Sequence, residues 1–251
     1  MHLEWDGPEE PTLLPIVDPF YRAPRPSGEP VAARLRAALD ELDRFGVERA
    51  GLSLDDDPAL ARAAFAQTPE RFFARTEIDP RRGMDELRRV ERLAREAPLR
   101  AVTLSPARLF LPVDHAHCMP LFVKCIELDL VICPSLGVPV ERVPFGPQKV
   151  ERIDPVACFL PELRIVMRGG CEPWQALAAL LMQRHPNLFF AGCRLPAEVA
   201  AFASEAGHHQ VLFASDATAL EAAAKGLPAL TLAEPAWPRF LRDNAVRVFR
   251  L

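Results

Sequence analysis

The histidines of this sequence include one pair with the spacing of a metal site. His115 and His117 form a His-x-His pair, and imidazole nitrogens are common zinc ligands. If Cys133 and Asp216 lay nearby in the fold, the four side chains would supply the donors of a zinc site. A polar start to a helix explains the same two histidines, and we favour that interpretation.

Three arginines could bind an anion. Arg22, Arg168 and Arg194 each follow a short apolar stretch of the kind that forms a buried strand. A guanidinium group binds carboxylates and phosphates through paired, charge-assisted hydrogen bonds. Brought together, the three would favour a small anionic ligand, although three surface arginines in an arginine-rich chain would explain them equally well.

The remaining reactive residue types give weaker signals. Cys133, Cys171 and Cys193 follow predicted strands, but a free cysteine is usually a small buried apolar residue. Glu77 and Asp79 could act as acid or base, although Asp79 precedes a proline and is typical of a turn. No serine, histidine and aspartate fall into the pattern of a hydrolase triad.

The elements that must position these residues are clearest around Leu163 to Trp174. Leu163 to Met167 is apolar and rich in β-branched residues, which predicts a strand covered on both faces. The sequence Arg168-Gly169-Gly170 predicts a sharp turn. Glu172-Pro173 predicts the start of a helix, because proline suits the first helical position. This stretch is one βα unit.

The same alternation of strand and helix runs along the whole chain. Eight strands are predicted, at Leu13 to Asp18, Val47 to Leu54, Phe72 to Ile78, Leu99 to Leu104, Leu130 to Cys133, Leu163 to Met167, Asn187 to Ala191 and Gln210 to Ser215. Helices are predicted at Val31 to Phe45, Asp57 to about Gln67, Met84 to Ala97, Met119 to Leu128, Val150 to Phe159, after Pro173, at Pro196 to Ala206, at Ala217 to Lys225 and at Trp237 to Phe249.

Strands and helices alternating over about 250 residues predict a (β/α)8 TIM barrel. A doubly wound open sheet is the alternative, but no glycine-rich nucleotide-binding fingerprint follows the first strand. In a barrel the chemistry belongs at the carboxyl ends of the strands. We expect one domain, residues 1–251.

Composition excludes several classes of function. The chain of 251 residues is 49% hydrophobic and 25% charged, with a net charge of -4. The absence of a basic block argues against nucleic acid, and no apolar run reaches the length of a membrane span. The acidic amino terminus and six unpatterned cysteines predict a cytoplasmic, reduced protein. Three lysines against many arginines hint at a bacterial source.

Four stretches resemble the amidohydrolase-related family, in the branch that contains aminocarboxymuconate semialdehyde decarboxylase and lactone hydrolases. They are LRIVMRGGCEPW, VLFASDA at Val211 to Ala217, RFFARTEIDPRRG at Arg71 to Gly83, and FLRDNAVRVFRL at the end. Their order and spacing carry the resemblance, which covers nearly the whole chain and implies a metal-dependent TIM-barrel hydrolase or decarboxylase.

The resemblance implies a divalent metal, usually zinc, held by a His-x-His after the first strand, histidines ending strands five and six, and an aspartate after strand eight. This sequence has Phe20 and Arg22 in the first motif, Cys133 at strand five and Arg168 at strand six; Asp216 alone matches. Phenylalanine has no lone pair, and arginine is a permanent cation without an acceptor.

Two functions follow as hypotheses. The first is a barrel that has lost the metal site and acts as a non-catalytic binding or partner subunit, as a homo-oligomer such as a dimer or beside an active paralogue. An ion pair between Arg22 and Asp216, with Arg168, would replace the metal. The second is an active hydrolase or carbon–carbon lyase on a small carboxylate, using the relocated zinc site or no metal. The candidate catalytic residues are Asp216, Arg168 and Arg22, and the candidate binding residues are Phe20, Cys133, Arg194 and Trp174.

Overall fold

Seven parallel strands form the sheet of the computed structural model, which describes residues 28–139, 142–215 and 220–251. The strands are hydrogen-bonded in chain order, β1 to β7. They are β1 Ala50–Ser53, β2 Phe72–Glu77, β3 Leu99–Leu104, β4 Val131–Pro134, β5 Ile165–Met167, β6 Leu188–Ala191 and β7 Val211–Leu212.

Helices cross between consecutive strands, as parallel pairing requires. The α-helices are α1 Val31–Arg44, α2 Pro58–Gln67, α3 Met84–Glu96, α4 Pro106–Leu109, α5 Met119–Glu127, α6 Ile153–Phe159, α7 Gln175–Arg184, α8 Ala197–Ser204, α9 Leu220–Gly226 and α10 Asn244–Phe249. None of the helices in this part of the chain has the length and apolarity needed to span a membrane. The architecture is the predicted TIM-barrel type.

The predicted strands from Val47 to Ser215 all form. β3 has the predicted bounds, β4 lies one residue later than predicted, and the other five are shorter. The predicted first strand, Leu13 to Asp18, lies outside the described residues. Three helix starts differ from the prediction: α6 begins at Ile153 rather than at Val150, α7 at Gln175 rather than at Pro173, and α10 at Asn244 rather than at Trp237. A 3-10 turn at Val150–Arg152 precedes α6, and a π-helical turn at Arg239–Asp243 precedes α10. The short helix α4 was not predicted, since four residues give too little periodicity to detect.

The two faces of the sheet pack against different partners. On one face of the sheet, every second residue of a strand packs against the surrounding helices. Ile132 and Met167 are examples. Their neighbours form a second cluster in the interior of the barrel, joined by Val248 of α10. This interior cluster contains Ala101, Val131, Cys133, Val166, Phe189, Ala191, Leu212 and Val248.

The end of the barrel where the strands begin is covered by α10. The ring of Phe249 stacks on that of Phe73 of β2, with centroids 5.4 Å apart. The Arg247 guanidinium lies 5.5 Å from the centre of the Phe189 ring. These contacts close the amino-terminal end and leave the carboxyl ends of the strands as the mouth of the barrel.

Candidate active site

Cys133 and Arg168 are brought together at the mouth. Cys133 pairs in register with Thr103 of β3. Ser135 directly follows β4, lies two residues after Cys133 on the same face, and forms a bridge with Arg168. Cys133 is buried and Arg168 is half-buried. The family resemblance assigned Cys133 and Arg168 to the ends of the predicted strands five and six. These strands are β4 and β5, which are neighbours in the sheet.

A second guanidinium, from Arg75 of β2, acts on the same thiol. Arg168 and Arg75 both lower the pKa of Cys133, against a larger rise caused by burial. Arg75 also lies 3.5 Å from the exposed carboxylate of Asp56. Arg75 was not among the residues predicted from the sequence, although the alternation of the strand places it on the same face as Phe73.

These side chains do not fit a divalent cation. A guanidinium has five donors and no lone pair, so it cannot coordinate a metal. Burial raises the pKa of Cys133 to about 11, and metal ligation requires the thiolate. Within the described ranges, no group of three or more His, Cys, Asp or Glu side chains could hold a metal ion.

The alternative zinc site is not formed by its described members, because His115, His117 and Cys133 do not gather into one group. His115 instead caps a short 3-10 helix at Ala116–Cys118, where its Nδ1 accepts the His117 N–H at 3.1 Å. Both imidazoles are exposed. The pair starts a helix, the interpretation that the sequence favoured.

Two other predicted site residues, Trp174 and Arg194, follow strand ends at the mouth. Trp174 is partly buried beside α7, and its ring centre lies 6.0 Å from that of Phe145 in the loop after β4. Arg194 is exposed in the loop after β6. Phe20, Arg22 and Asp216 lie outside the described residues, so the predicted pair of Arg22 and Asp216 stays a prediction.

The turn that carries Arg168 is joined tightly to the loop after β4. The Leu136 N–H donates to the Arg168 carbonyl at 2.8 Å, and the Val138 N–H donates to the Glu172 carbonyl at 2.8 Å. Gly137 has φ +101°, and a Cβ there would lie 2.8 Å from the Glu172 nitrogen. Only glycine fits this contact without strain.

Gln148 closes the same loop. Its side-chain Nε2 donates to the Gly137 carbonyl at 3.1 Å, while its Oε1 accepts the Ala107 N–H at 3.3 Å. Its backbone carbonyl accepts the Gly137 N–H at 2.8 Å. The side chain is buried. Both ends of the loop are thus fixed to the scaffold next to Arg168.

A charged network fixes the end of β2. The fully buried Glu86 of α3 accepts the Asp79 N–H at 3.1 Å and two bonds from Arg89, at 2.6 and 3.1 Å. Arg89 also donates to the Thr76 hydroxyl at 2.9 Å. An open pocket of about 440 Å³ lies over this network and includes Glu77. The network positions the loop after β2.

Known families and structures give a consistent placement of this fold. The model of the family described as Amidohydrolase matches residues 1–251. An uncharacterised TIM-barrel protein from Bordetella bronchiseptica is 21% identical, with 86% of this chain and 82% of that chain covered and a TM-score of 0.72. No curated protein matches.

Two further structures contain ligands. One is a 5-carboxyvanillate decarboxylase from Novosphingobium aromaticivorans, complexed with manganese and 4-hydroxy-3-methoxy-5-nitrobenzoic acid. It is 15% identical to this chain, the match covers 90% of this chain and 85% of the decarboxylase chain, and the TM-score is 0.63. A probable 2-pyrone-4,6-dicarboxylic acid hydrolase from Acinetobacter baumannii, with citric acid bound, is 14% identical, covers 95% and 94%, and has a TM-score of 0.64. At these identities the likeness shows a shared fold.

Proposed function

This chain belongs to the amidohydrolase family, and from that premise we propose that it binds a small carboxylate at the barrel mouth without the family's metal, as a non-catalytic binding or partner subunit. The observation that carries the proposal is the pair of guanidiniums, Arg75 and Arg168, acting on the buried Cys133. Arg168 follows the last residue of β5, and Arg75 lies two residues before the end of β2, toward the mouth where a barrel of this type carries its chemistry.

Electrostatics favours an anion over a metal at this place. A unit charge about 4 Å from another interacts by about 4 kcal/mol at an effective dielectric constant of about 20, so a dication beside one guanidinium would be repelled by about 8 kcal/mol. Structural zinc sites bind with roughly 10–16 kcal/mol. The repulsion would therefore offset most of the affinity, whereas an anion gains from the same charges.

Arg168 is the guanidinium best suited to hold a ligand. Within the described chain no carboxylate is paired with it, whereas Arg75 lies 3.5 Å from Asp56. The Arg168 backbone is held by the hydrogen bond from the Leu136 N–H, so the guanidinium extends from a rigid part of the backbone. An arginine can bind both oxygens of a carboxylate through parallel hydrogen bonds, which gives orientation as well as affinity.

The loops beside Arg168 offer an apolar surface for the rest of the ligand. Phe145 is 43% exposed and Val138 is 47% exposed, and Phe145 contacts Trp174. Two of the similar structures hold a nitrobenzoic acid and citric acid. We therefore propose a small carboxylate, with an aromatic ring as the preferred body.

The proposal includes the residues outside the described part of the chain. A pair of Arg22 and Asp216 would keep the Asp216 carboxylate from attracting a cation and leave Arg168 for the ligand. Asp216 would otherwise be an uncompensated charge in a confined mouth, which is costly.

Two measurements test the proposal together. Metal content by plasma mass spectrometry, on protein purified without chelators, is expected to be far below one ion per chain. Calorimetric titration with benzoate-type carboxylates is expected to show binding that falls about tenfold in Arg168→Gln, because one charge-assisted contact is lost. Arg88→Gln is the matched control, since its guanidinium is 70% exposed on α3.

The outcomes separate the two functions. Near-stoichiometric zinc or manganese would favour the second function, an active hydrolase or carbon–carbon lyase using a relocated metal. Carboxylate binding that is equal in Arg168→Gln and Arg88→Gln would reject the proposed site. A co-purifying family member with intact histidines, or a dimer in light scattering, would support the partner role.

A further inference from the structure

At the opposite end of the barrel, where the strands begin, guanidinium groups crowd around one carboxylate. Asp129 has a left-handed backbone, with φ +57°. Arg164 donates through Nη2 to the Asp129 carbonyl at 2.7 Å and to Oδ1 at 2.8 Å. Arg250 Nη1 lies 2.8 Å from Oδ2. Both carboxylate oxygens of Asp129 therefore already face a guanidinium.

Arg100, the second residue of β3, adds a third positive charge. Burial lowers the pKa of Arg164, Asp129 opposes that change, and repulsion from Arg250 and Arg100 lowers the pKa further. The side chain of Arg164 is only 17% exposed, so water screens this repulsion incompletely. Two guanidiniums thus contact the Asp129 carboxylate, and Arg100 adds a third charge that repels Arg164.

A small pocket opens beside this cluster. Its volume is about 160 Å³, and its walls are Arg49, Pro69, Glu70, Phe72, Phe73, Pro98, Arg100, Arg250 and Leu251. In the described part of the chain, Arg49 and Arg100 form no ion pair with another residue, and Glu70 contributes one carboxylate to the wall. The pocket therefore presents three guanidiniums and one carboxylate. Arg250 is already paired with Asp129, whereas Arg49 and Arg100 have their donors available.

We propose that this pocket binds a small tetrahedral oxyanion, the phosphate group, at the face of the barrel remote from the mouth. Three forked donors approach from different walls. A carboxylate has two oxygens in one plane, whereas a phosphate group has oxygens in several directions and up to two negative charges. The small volume excludes a large ligand.

The ligand is either free phosphate or the phosphoryl group of a small ester, since both present the same oxygens. Binding would reduce the repulsion among Arg49, Arg100 and Arg250. It would also stabilise the folded chain, because the unfolded chain lacks the site. The proposal is independent of the function proposed for the mouth.

The test is thermal unfolding of the full chain at low ionic strength, with inorganic phosphate or glycerol 3-phosphate, against chloride of matched ionic strength. We expect both phosphates to raise the Tm saturably. The fitted affinity should fall about tenfold in Arg100→Gln and in Arg49→Gln, since each loses a charge-assisted hydrogen bond. Both side chains are exposed and form no ion pair, so the variants should fold.

Arg88→Gln is the control and should keep the phosphate affinity of the parent chain. Tighter binding of the ester than of phosphate would support a phosphorylated small molecule, and equal binding would support the free ion. A Tm that rises no more in phosphate than in chloride would overturn the proposal. So would a loss of phosphate affinity in Arg168→Gln with full affinity in Arg100→Gln, because the ion would then lie at the mouth.

Discussion

Replacing the buried Glu86 by alanine should destabilise the fold strongly. Glu86 is 0% exposed, and its carboxylate accepts two bonds from Arg89 and one from the Asp79 N–H. The Glu86→Ala variant leaves both donors without that acceptor. The end of β2 and the first turn of α3 then lose the contact that joins them.

The magnitude follows from the surroundings of Arg89. Breaking a buried ion pair by removing one partner costs about 3–5 kcal/mol. The Arg89 side chain keeps 17% exposure, and Asp55 remains at 3.5 Å, so some compensation is available. We therefore expect a loss of about 3 kcal/mol in the free energy of unfolding.

Urea unfolding at neutral pH measures this loss, and a double-mutant cycle isolates the pair. Arg89→Ala combined with Glu86→Ala should cost less than the sum of the two single variants, with a coupling of about 2 kcal/mol. Glu91→Ala is the control on the same helix, since its partner Arg95 is 73% exposed and such pairs contribute under about 1 kcal/mol. A cost for Glu86→Ala equal to that of the control, or additive single variants, would refute the reasoning.

Two further predictions concern pH and the mouth. Burial raises the thiol pKa to about 11 or 12 at four cysteines, Cys118, Cys125, Cys133 and Cys171. Above about pH 9 the folded chain therefore keeps thiol protons that the unfolded chain releases. The free energy of unfolding has its full value below that pH and falls by up to about 1.4 kcal/mol per thiol per pH unit above it. Urea unfolding from pH 7 to 10.5 should show this fall, with a flatter slope in Cys125→Ala, and a slope unchanged by that variant would contradict the assignment. Gly137→Ala should lower the free energy of unfolding by about 1–3 kcal/mol, because alanine is strained at φ +101° and its Cβ would meet the Glu172 backbone. Gly146→Ala is the control. A Cβ at Gly146 would have nothing within 4 Å, so this variant should be nearly neutral.

Local sequence patterns predicted two parts of the site, the strand β5 and the turn after Arg168. The apolar run at Leu163 to Met167 predicted β5, and the two glycines after Arg168 predicted its turn, where both have positive φ. The start of α7 was misplaced because proline suits either a first helical turn or a preceding loop. Only the contacts of the loop after β4 decide between them.

Arg75 and Glu86 illustrate what local patterns cannot provide. Arg75 lies on a strand whose residues alternate between two faces, but the sequence does not say which face closes into the interior. Glu86 looks like an ordinary acidic residue in the first turn of a helix, yet it is fully buried against Arg89. Both roles depend on a neighbouring element that is distant in the chain.

The sequence by itself determined the alternation of strands and helices, because periodicity and turn chemistry act over a few residues and repeat along the chain. It also indicated the family, through four stretches whose order and spacing carry the resemblance. Through the family resemblance it also predicted that Cys133 and Arg168 stand at two strand ends where related chains carry histidines. Only the tertiary structure decided that Arg75 joins them. Closing the sheet brings residues from different strands to one mouth, and that proximity depends on registers and loop contacts which no single segment encodes.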